Sequence, residues 1–181
     1  MYFADYMVEW LDEIEPEIRA NTYRGYSGNV GNHIVPYFYP RRIKIQELKV
    51  SDLEDFYKYL VFEKSKSDGS EPLSPTTITH IHRCISKALN DAARKGIITV
   101  NVATLARKPH SVKFKSQYLN ERQVNELLKT VKDTPIEVPV TICAVFGLRR
   151  GEVLGLKWKA VDMENRTITI SETLQQHVGG S

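Results

Sequence analysis

The chain has 181 residues, 41% of them hydrophobic, with a formal net charge of +3, enough to bury a core in one large domain or two small ones. No apolar run approaches the ~20 residues a membrane span needs, and the acids Asp5 and Glu9 argue against a secretory leader, so the expectation is a cytoplasmic protein with no membrane partner. Two cysteines, Cys84 and Cys143, are too few for a disulfide framework and suit a reducing compartment, with a single bridge between them left open. Charge is unevenly spread. Residues 1–17 carry six acids and no Lys or Arg, a net of −6, whereas residues 76–116 carry eight cations against Asp91 alone, a net of +7. That basic stretch sets up a local field a polyanion would meet first.

Phe3, Tyr6, Met7, Trp10, Leu11 and Ile14 fall at helical spacing and predict an amphipathic helix over 2–14 that Pro16 closes. A second helix is expected from Asn21 or Thr22, with Tyr23, Tyr26, Val30 and Ile34 inward, weakened by Gly25, Gly28 and Gly31 and ended by Pro36 and Pro40 in an extended segment. A third runs from Ser51 to Glu63 on Leu53, Phe56, Tyr57 and Leu60. Lys64 to Pro75, rich in Ser, Lys, Gly and Pro, reads as a flexible loop. The fourth helix has the clearest signature. Ser74-Pro75-Thr76 gives a cap with proline in the first turn, Ile78, Ile81, Ile85, Ala88, Leu89 and Ala92 repeat at 3–4 spacing, and Gly96 stops it. Thr76, His80, Arg83 and Lys87 share one exposed stripe of this helix. His80 and Cys84 also share a face, but no third or fourth metal ligand accompanies them, so no metal is expected.

Residues 108–117, which hold Lys108, Lys113 and Lys115, have little periodicity and read as a basic interdomain linker. Asn120-x-x-Gln123 caps a fifth helix with Val124, Leu127, Leu128 and Val131 as its core stripe. Pro135 to Phe146 predicts an apolar helix carrying Val138, Ile142, Cys143 and Val145. After Trp158 the period changes: Asn165-Arg166 reads as a turn into a strand over Thr167–Ser171, with Leu174 to Val178 as its possible continuation.

Between that apolar helix and the strand stands the string Gly147-Leu148-Arg149, Glu152, Leu156, Trp158, Val161-Asp162. Two arginines follow a turn glycine and open a short apolar-periodic segment, a place from which a guanidinium fork can hold a phosphate or a carboxylate. In residue type and spacing the string resembles the first catalytic-arginine motif of the tyrosine recombinases, the phage-integrase family. Leu73-Ser74-Pro75-Thr76-Thr77-Ile78, Ala88 to Ala93 and Ile97-Ile98-x-x-Asn101-Val102-Ala103 resemble that family's core-binding domain, with Asn101-Val102 in place of the usual Asn-Pro.

The resemblance implies a mainly α chain. It would comprise a helical, SAM-like core-binding domain of four to five helices over 1–107, the linker over 108–117, and over 118–181 the N-terminal portion of an α+β catalytic domain. It further implies site-specific DNA recombination through a 3′-phosphotyrosyl intermediate, with no cofactor and no metal. The partner is double-stranded DNA, bound by a homotetramer of the full-length enzyme, while this chain alone is expected to be a monomer. Arg149 corresponds to the family's first catalytic arginine and Glu152 to the acid that orients it. Thr76, His80, Arg83, Lys87, Lys108, Lys113 and Lys115 are the expected DNA contacts, and Arg150 is either a neighbouring phosphate contact or an exposed charge. The family's catalytic lysine, His-x-x-Arg pair and tyrosine nucleophile have no counterparts, so the chain is expected to be a truncated integrase that binds DNA without cleaving it. Two other readings stay open: a catalytically silent DNA-binding regulator that competes for the recombination site, and an unrelated helical protein-interaction module with no affinity for DNA.

Overall fold

Helix α1, Phe3–Ile14, forms where the apolar spacing places it and buries Phe3, Tyr6, Met7, Trp10, Leu11 and Ile14. The computed structural model describes residues 1–62, 72–109 and 117–174, and the chain divides into two compact units, Met1–Phe114 and Lys115–Ser181. The described residues are mainly α-helical.

In the first unit Pro16 sits in a 3₁₀ turn, Glu15–Glu17, that ends α1. Helix α2, Ala20–Asn29, then runs through a π turn, Val30–Ile34, into α3, Val35–Phe38. The expected extended segment at Pro36 is therefore wrong. A proline lacks the N–H of a regular helix and its ring collides with the carbonyl four residues back. Here Val35 N–H skips to the carbonyl of Val30, and this widened turn lets the helix carry on through Pro36. Helix α4, Val50–Phe62, contributes Leu53, Phe56, Tyr57 and Leu60 to the core, and Asp52 accepts a hydrogen bond from the Lys49 N–H at its start (2.8 Å). Phe3, Tyr37, Phe38 and Phe56 meet with ring centroids 4.8 to 5.0 Å apart, in tilted and edge-on pairs that add to their area burial.

Helix α5, Pro75–Arg94, is capped by the Ser74 hydroxyl, which accepts from Thr77 N–H (3.2 Å). At its far end Gly96 takes φ +70° and Ile97 N–H reaches back to Ala92 O (2.9 Å), a termination that the left-handed glycine makes possible. Ile78, Ile81, Ile85, Ala88, Leu89 and Ala92 are all fully buried, as their spacing required. Each large member of that stripe contributes about 1.5–3 kcal/mol of burial. Two polar contacts fix α1 on α5: Tyr6 Oη donates to Ala88 O (2.9 Å) and Trp10 Nε1 donates to Asp91 Oδ2 (2.8 Å).

In the second unit α6, Glu121–Thr130, has the reciprocal cap its sequence announces: Asn120 N–H donates to Gln123 Oε1 and Gln123 N–H to Asn120 Oδ1, both 3.0 Å. Helix α7, Glu137–Phe146, ends at Gly147, whose φ of +66° only glycine adopts freely, and a short helix α8, Arg150–Leu154, follows. Strands β1, Val161–Asp162, and β2, Thr167–Ile168, pair antiparallel with Val161 opposite Ile168.

Two expectations need correcting here. The strand is two residues long, not five, because after Thr169 N–H bonds Ala160 O the chain leaves β1 and Leu174 N–H bonds Gly151 O on α8 instead. Of the α6 stripe only Val131 is buried, and Val138 and Val145 of α7 are exposed. Among the described residues of this unit, Val131 and Val153 are the only buried hydrophobics, so these helices amphipathically face apolar space that few described side chains fill. Val161 and Ile168, on either side of the turn at Asn165-Arg166, are the paired residues at the outer end of that short ladder, and Cys84 and Cys143 are both free thiols, in keeping with the reducing setting expected of them. The expected loop over Lys64 to Pro75 and the linker fall largely on residues outside those described, as does the continuation beyond Leu174.

Candidate nucleic-acid interface and phosphate clamp

Helix α5 turns one face into the core and the other to solvent. Thr76, His80, Arg83 and Lys87 are exposed on that outer face, and Asn90 and Arg94 continue it at three- and four-residue steps. An open groove of about 490 Å³ lies along its C-terminal half. Arg83, Lys87, Arg94 and Lys108 bring four cations to its walls, with Ser86 and Asn90 between them. Asp91 is the one acid there, and it is buried. It takes Trp10 Nε1 from the core side, Arg94 at 2.6 Å and Lys87 at 3.8 Å, so it neutralises part of those two cations, while among the described residues no acid pairs with Arg83 or Lys108.

His82 forms part of the groove floor. It is buried and shares a 2.9 Å hydrogen bond through Nδ1 with the Tyr57 hydroxyl. Burial first, then the cations of Lys108 and Arg83, lower its pKa to about 4, so the ring is neutral at physiological pH. Burial also pushes the Cys84 thiol up to about 12, which leaves it inert as a nucleophile. Among the described residues no three His, Cys, Asp or Glu side chains group as metal ligands.

The arginine motif of the second unit is built around Glu152. Arg149 is the residue just ahead of α8, and Glu152 lies three positions along. One carboxylate oxygen accepts Arg149 N–H (2.9 Å) and the other accepts the guanidinium Nη1 (3.0 Å). The Glu152 side chain is 18% exposed and that of Arg149 is 87% exposed, so the acid is held in and the guanidinium held out. The backbone hydrogen bond from Arg149, followed by the one from its side chain, lowers the Glu152 pKa and keeps it ionised. A guanidinium has five N–H donors in a fixed fork. One is committed to Glu152, and the fork is thereby oriented with donors remaining for an anion.

Two glycines set the shape behind this motif. A Cβ at Gly151 would stand 2.8 Å from Thr173 Cγ2 and 2.9 Å from Leu174 O. One at Gly155 would stand 2.9 Å from Leu174 N and 3.0 Å from Glu172 O. Their missing side chains let residues 172–174 lie directly on α8, where Glu172 also pairs with Lys157 and Lys159.

The sequence-predicted residues thus fall into two groups. Thr76, His80, Arg83, Lys87 and Lys108 belong to the first unit, with Arg83, Lys87 and Lys108 around one groove and Thr76 and His80 further up the same helix face. Arg149, Arg150 and Glu152 belong to the second, where Arg150 is exposed beside an apolar cavity of about 520 Å³. Lys113 and Lys115 lie outside the described residues. Sequence reasoning missed Ser86, Asn90 and Arg94 on the groove. Extending the Arg83–Lys87 stripe by one more step of three and one of four would have found two of them.

Comparison with known proteins adds an independent line. A family profile described as phage integrase, N-terminal SAM-like domain, matches residues 2–61. An integrase of Saccharopolyspora erythraea is 26% identical over 172 residues, covering 94% of this chain and 38% of the relative. The ICEBs1 integrase of Bacillus subtilis is 22% identical over 155 residues, covering 84% of this chain and 39% of the relative. Among solved structures, the Tn1549 transposon integrase in complex with a circular intermediate DNA superposes with a TM-score of 0.79 at 20% identity, over 99% of this chain and 55% of that one. A lambda integrase tetramer bound to a Holliday junction superposes with a TM-score of 0.67 at 14% identity, over 90% of this chain and 46% of that one. At such identities the structural likeness is one of fold. The chain spans less than half the length of the curated relatives it matches.

Proposed function

We propose that the chain, whose residues 2–61 match the phage-integrase N-terminal SAM-like domain, is the DNA-binding and phosphate-clamping part of a site-specific recombinase of the tyrosine recombinase family. The whole enzyme would break and rejoin duplex DNA through a 3′-phosphotyrosyl intermediate. Residues 1–107 serve as the core-binding domain, 108–117 as a basic linker, and 118–181 as the start of the catalytic domain. The relatives solved on DNA circles and junctions support duplex DNA as partner, and the lambda tetramer supports assembly of the full enzyme on it. The working compartment in this reading is the cytoplasm, with no metal or cofactor required.

The observation that carries the proposal is the Glu152 grip on Arg149. When a hydroxyl attacks a phosphodiester, negative charge grows on the non-bridging oxygens, and an oriented donor set lowers that barrier most when it needs no rearrangement. Glu152 holds the backbone and side chain of Arg149 together, so the guanidinium waits in place. Glu152 acts through Arg149 and is a positioning residue. Arg83, Lys87 and Lys108 would contact phosphates of the duplex, as would Lys113 and Lys115, with Thr76 and His80 donating from further along α5 and Arg150 beside the clamp.

Cleavage by this chain is not expected. Tyr6, Tyr37 and Tyr57 are buried in the first unit, and burial, together with the Asp91 and Glu13 charges, raises the Tyr6 pKa to about 12 while its hydroxyl is bound to Ala88 O. No tyrosine of the chain corresponds to the family nucleophile. Mixing the chain with a nicked suicide duplex tests the proposal. A retarded complex on a native gel with no covalent adduct on a denaturing gel is the predicted result. A covalent adduct, or no retarded complex at all, would contradict it.

A further inference from the structure

Asn101 is 7% exposed and both polar atoms of its side chain are hydrogen-bonded. Its Oδ1 accepts the Ala103 N–H (2.9 Å), while Nδ2 donates to Ser86 O (2.9 Å) and to Asn90 Oδ1 (2.8 Å), with Ser86 Oγ further off at 3.4 Å. The Ala103 amide is a fixed donor and the Ser86 carbonyl a fixed acceptor, so the Asn101 side-chain amide has one permitted orientation. Asn90 must then meet Nδ2 of Asn101 with its own oxygen. Its Nδ2, with two N–H donors, has no partner among the described residues. Asn90 is exposed and stands between Lys87 and Arg94 on the outer stripe.

We propose that Asn90 is a specificity-determining residue that donates to a base-edge acceptor of duplex DNA, and that Asn101 is the positioning residue that fixes its polarity. The inference rests on the duplex-binding reading above. Arg83 and Arg94 stand about 16 Å apart along α5 at a helical rise of roughly 1.5 Å per residue, enough to reach across a major groove about 12 Å wide, with Asn90 between them about 10 Å from Arg83 and about 6 Å from Arg94. Cations at the two ends hold phosphates and carry no sequence information, whereas an amide held in one orientation does. Guanine suits it best, because its major-groove edge offers two acceptors, O6 and N7, and no donor. A swinging asparagine would accept as readily as donate and would discriminate less. The buried Asn101 removes that freedom.

Selection from a randomised duplex library, read by sequencing and followed by affinities on the selected duplexes, tests this with four proteins. The unaltered chain should show a guanine preference at one position. Asn90→Ala should lose it by roughly tenfold, read as the ratio of affinities for the selected duplex and for the same duplex altered at that one position. Asn90→Asp keeps the oxygen that accepts from Asn101 but turns an acceptor outward, so its preference should move to cytosine, whose N4 amino group donates. Asn101→Ala should flatten the preference as Asn90→Ala does, and its melting temperature shows whether α5 remains folded; the two exposed Asn90 variants keep the test valid if it does not. A uniform loss of affinity across all sequences in Asn90→Ala would make Asn90 a phosphate contact and overturn the inference while leaving duplex binding intact. No duplex binding by the unaltered chain would overturn both.

Discussion

Glu152 and Arg149 act as one unit, and a double-mutant cycle exposes that. Arg149→Ala removes the donor fork and should weaken duplex binding. Glu152→Gln should weaken it less, and the double variant should bind no worse than Arg149→Ala alone, because the acid has nothing left to orient. Additive losses, measured by fluorescence anisotropy, would show Glu152 acting on DNA by another route. His82 gives a second residue-scale prediction. Its folded pKa, about 4, lies below its unfolded value of 6.5, so between those values the unfolded chain binds more protons. The stability it contributes is complete above pH 6.5 and is lost as the pH falls toward 4. The first unit should therefore melt at lower temperature across that window, and His82→Gln should flatten part of the slope. The Arg149–Glu152 pair was legible in the sequence through its resemblance to a family motif, and the structure supplies the reason, an acid three residues along folding back onto its cap. Asn90 was not, because its meaning depends on Asn101, eleven positions away in sequence and adjacent only after folding.

At the scale of elements, α5 was legible almost residue by residue. Cap, apolar repeat and stop glycine all pointed to the same helix, and Ile85→Ala should cost about 2–5 kcal/mol in chemical denaturation. The α2–α3 segment was not legible. Pro36 is a sound stop signal, and only the non-local fit of Ile34, Tyr37 and Phe38 into the core favours the π turn that bypasses it. In the second unit Gly155 supplies the sharpest element-scale test. The nearest atoms to its absent Cβ are all backbone, at 2.9 to 3.2 Å, and backbone cannot swing aside as a side chain can. Gly155→Ala should thus push residues 172–174 off α8 and destabilise this unit while leaving the first unchanged, read as loss of amide protection confined to residues beyond 117. Equal protection in the two proteins would show that the segment accommodates the methyl group.

The two units differ in how much apolar surface they enclose. The first packs α1 to α5 around a continuous core of aromatic and aliphatic side chains. In the second, Trp158 remains 85% exposed and two cavities, of about 520 and 290 Å³, have mainly apolar walls. Periodicity gave α6 an apolar stripe and composition made α7 apolar, but neither could say what covers those surfaces, since that depends on neighbours outside each helix. Hydrogen exchange should accordingly protect α1, α4 and α5 far more strongly than α6 and α7.

The central claim, that the outer face of α5 is a phosphate-binding surface, is tested most directly by duplex affinity over a salt series. The logarithm of the binding constant should fall linearly with the logarithm of salt concentration, and Arg83→Ala, which removes a cation paired with no acid among the described residues, should reduce the slope by about 0.9. Arg94→Ala should reduce it less, because Asp91 already holds that guanidinium at 2.6 Å. Affinity that ignores salt, or a slope untouched by Arg83→Ala, would contradict the account.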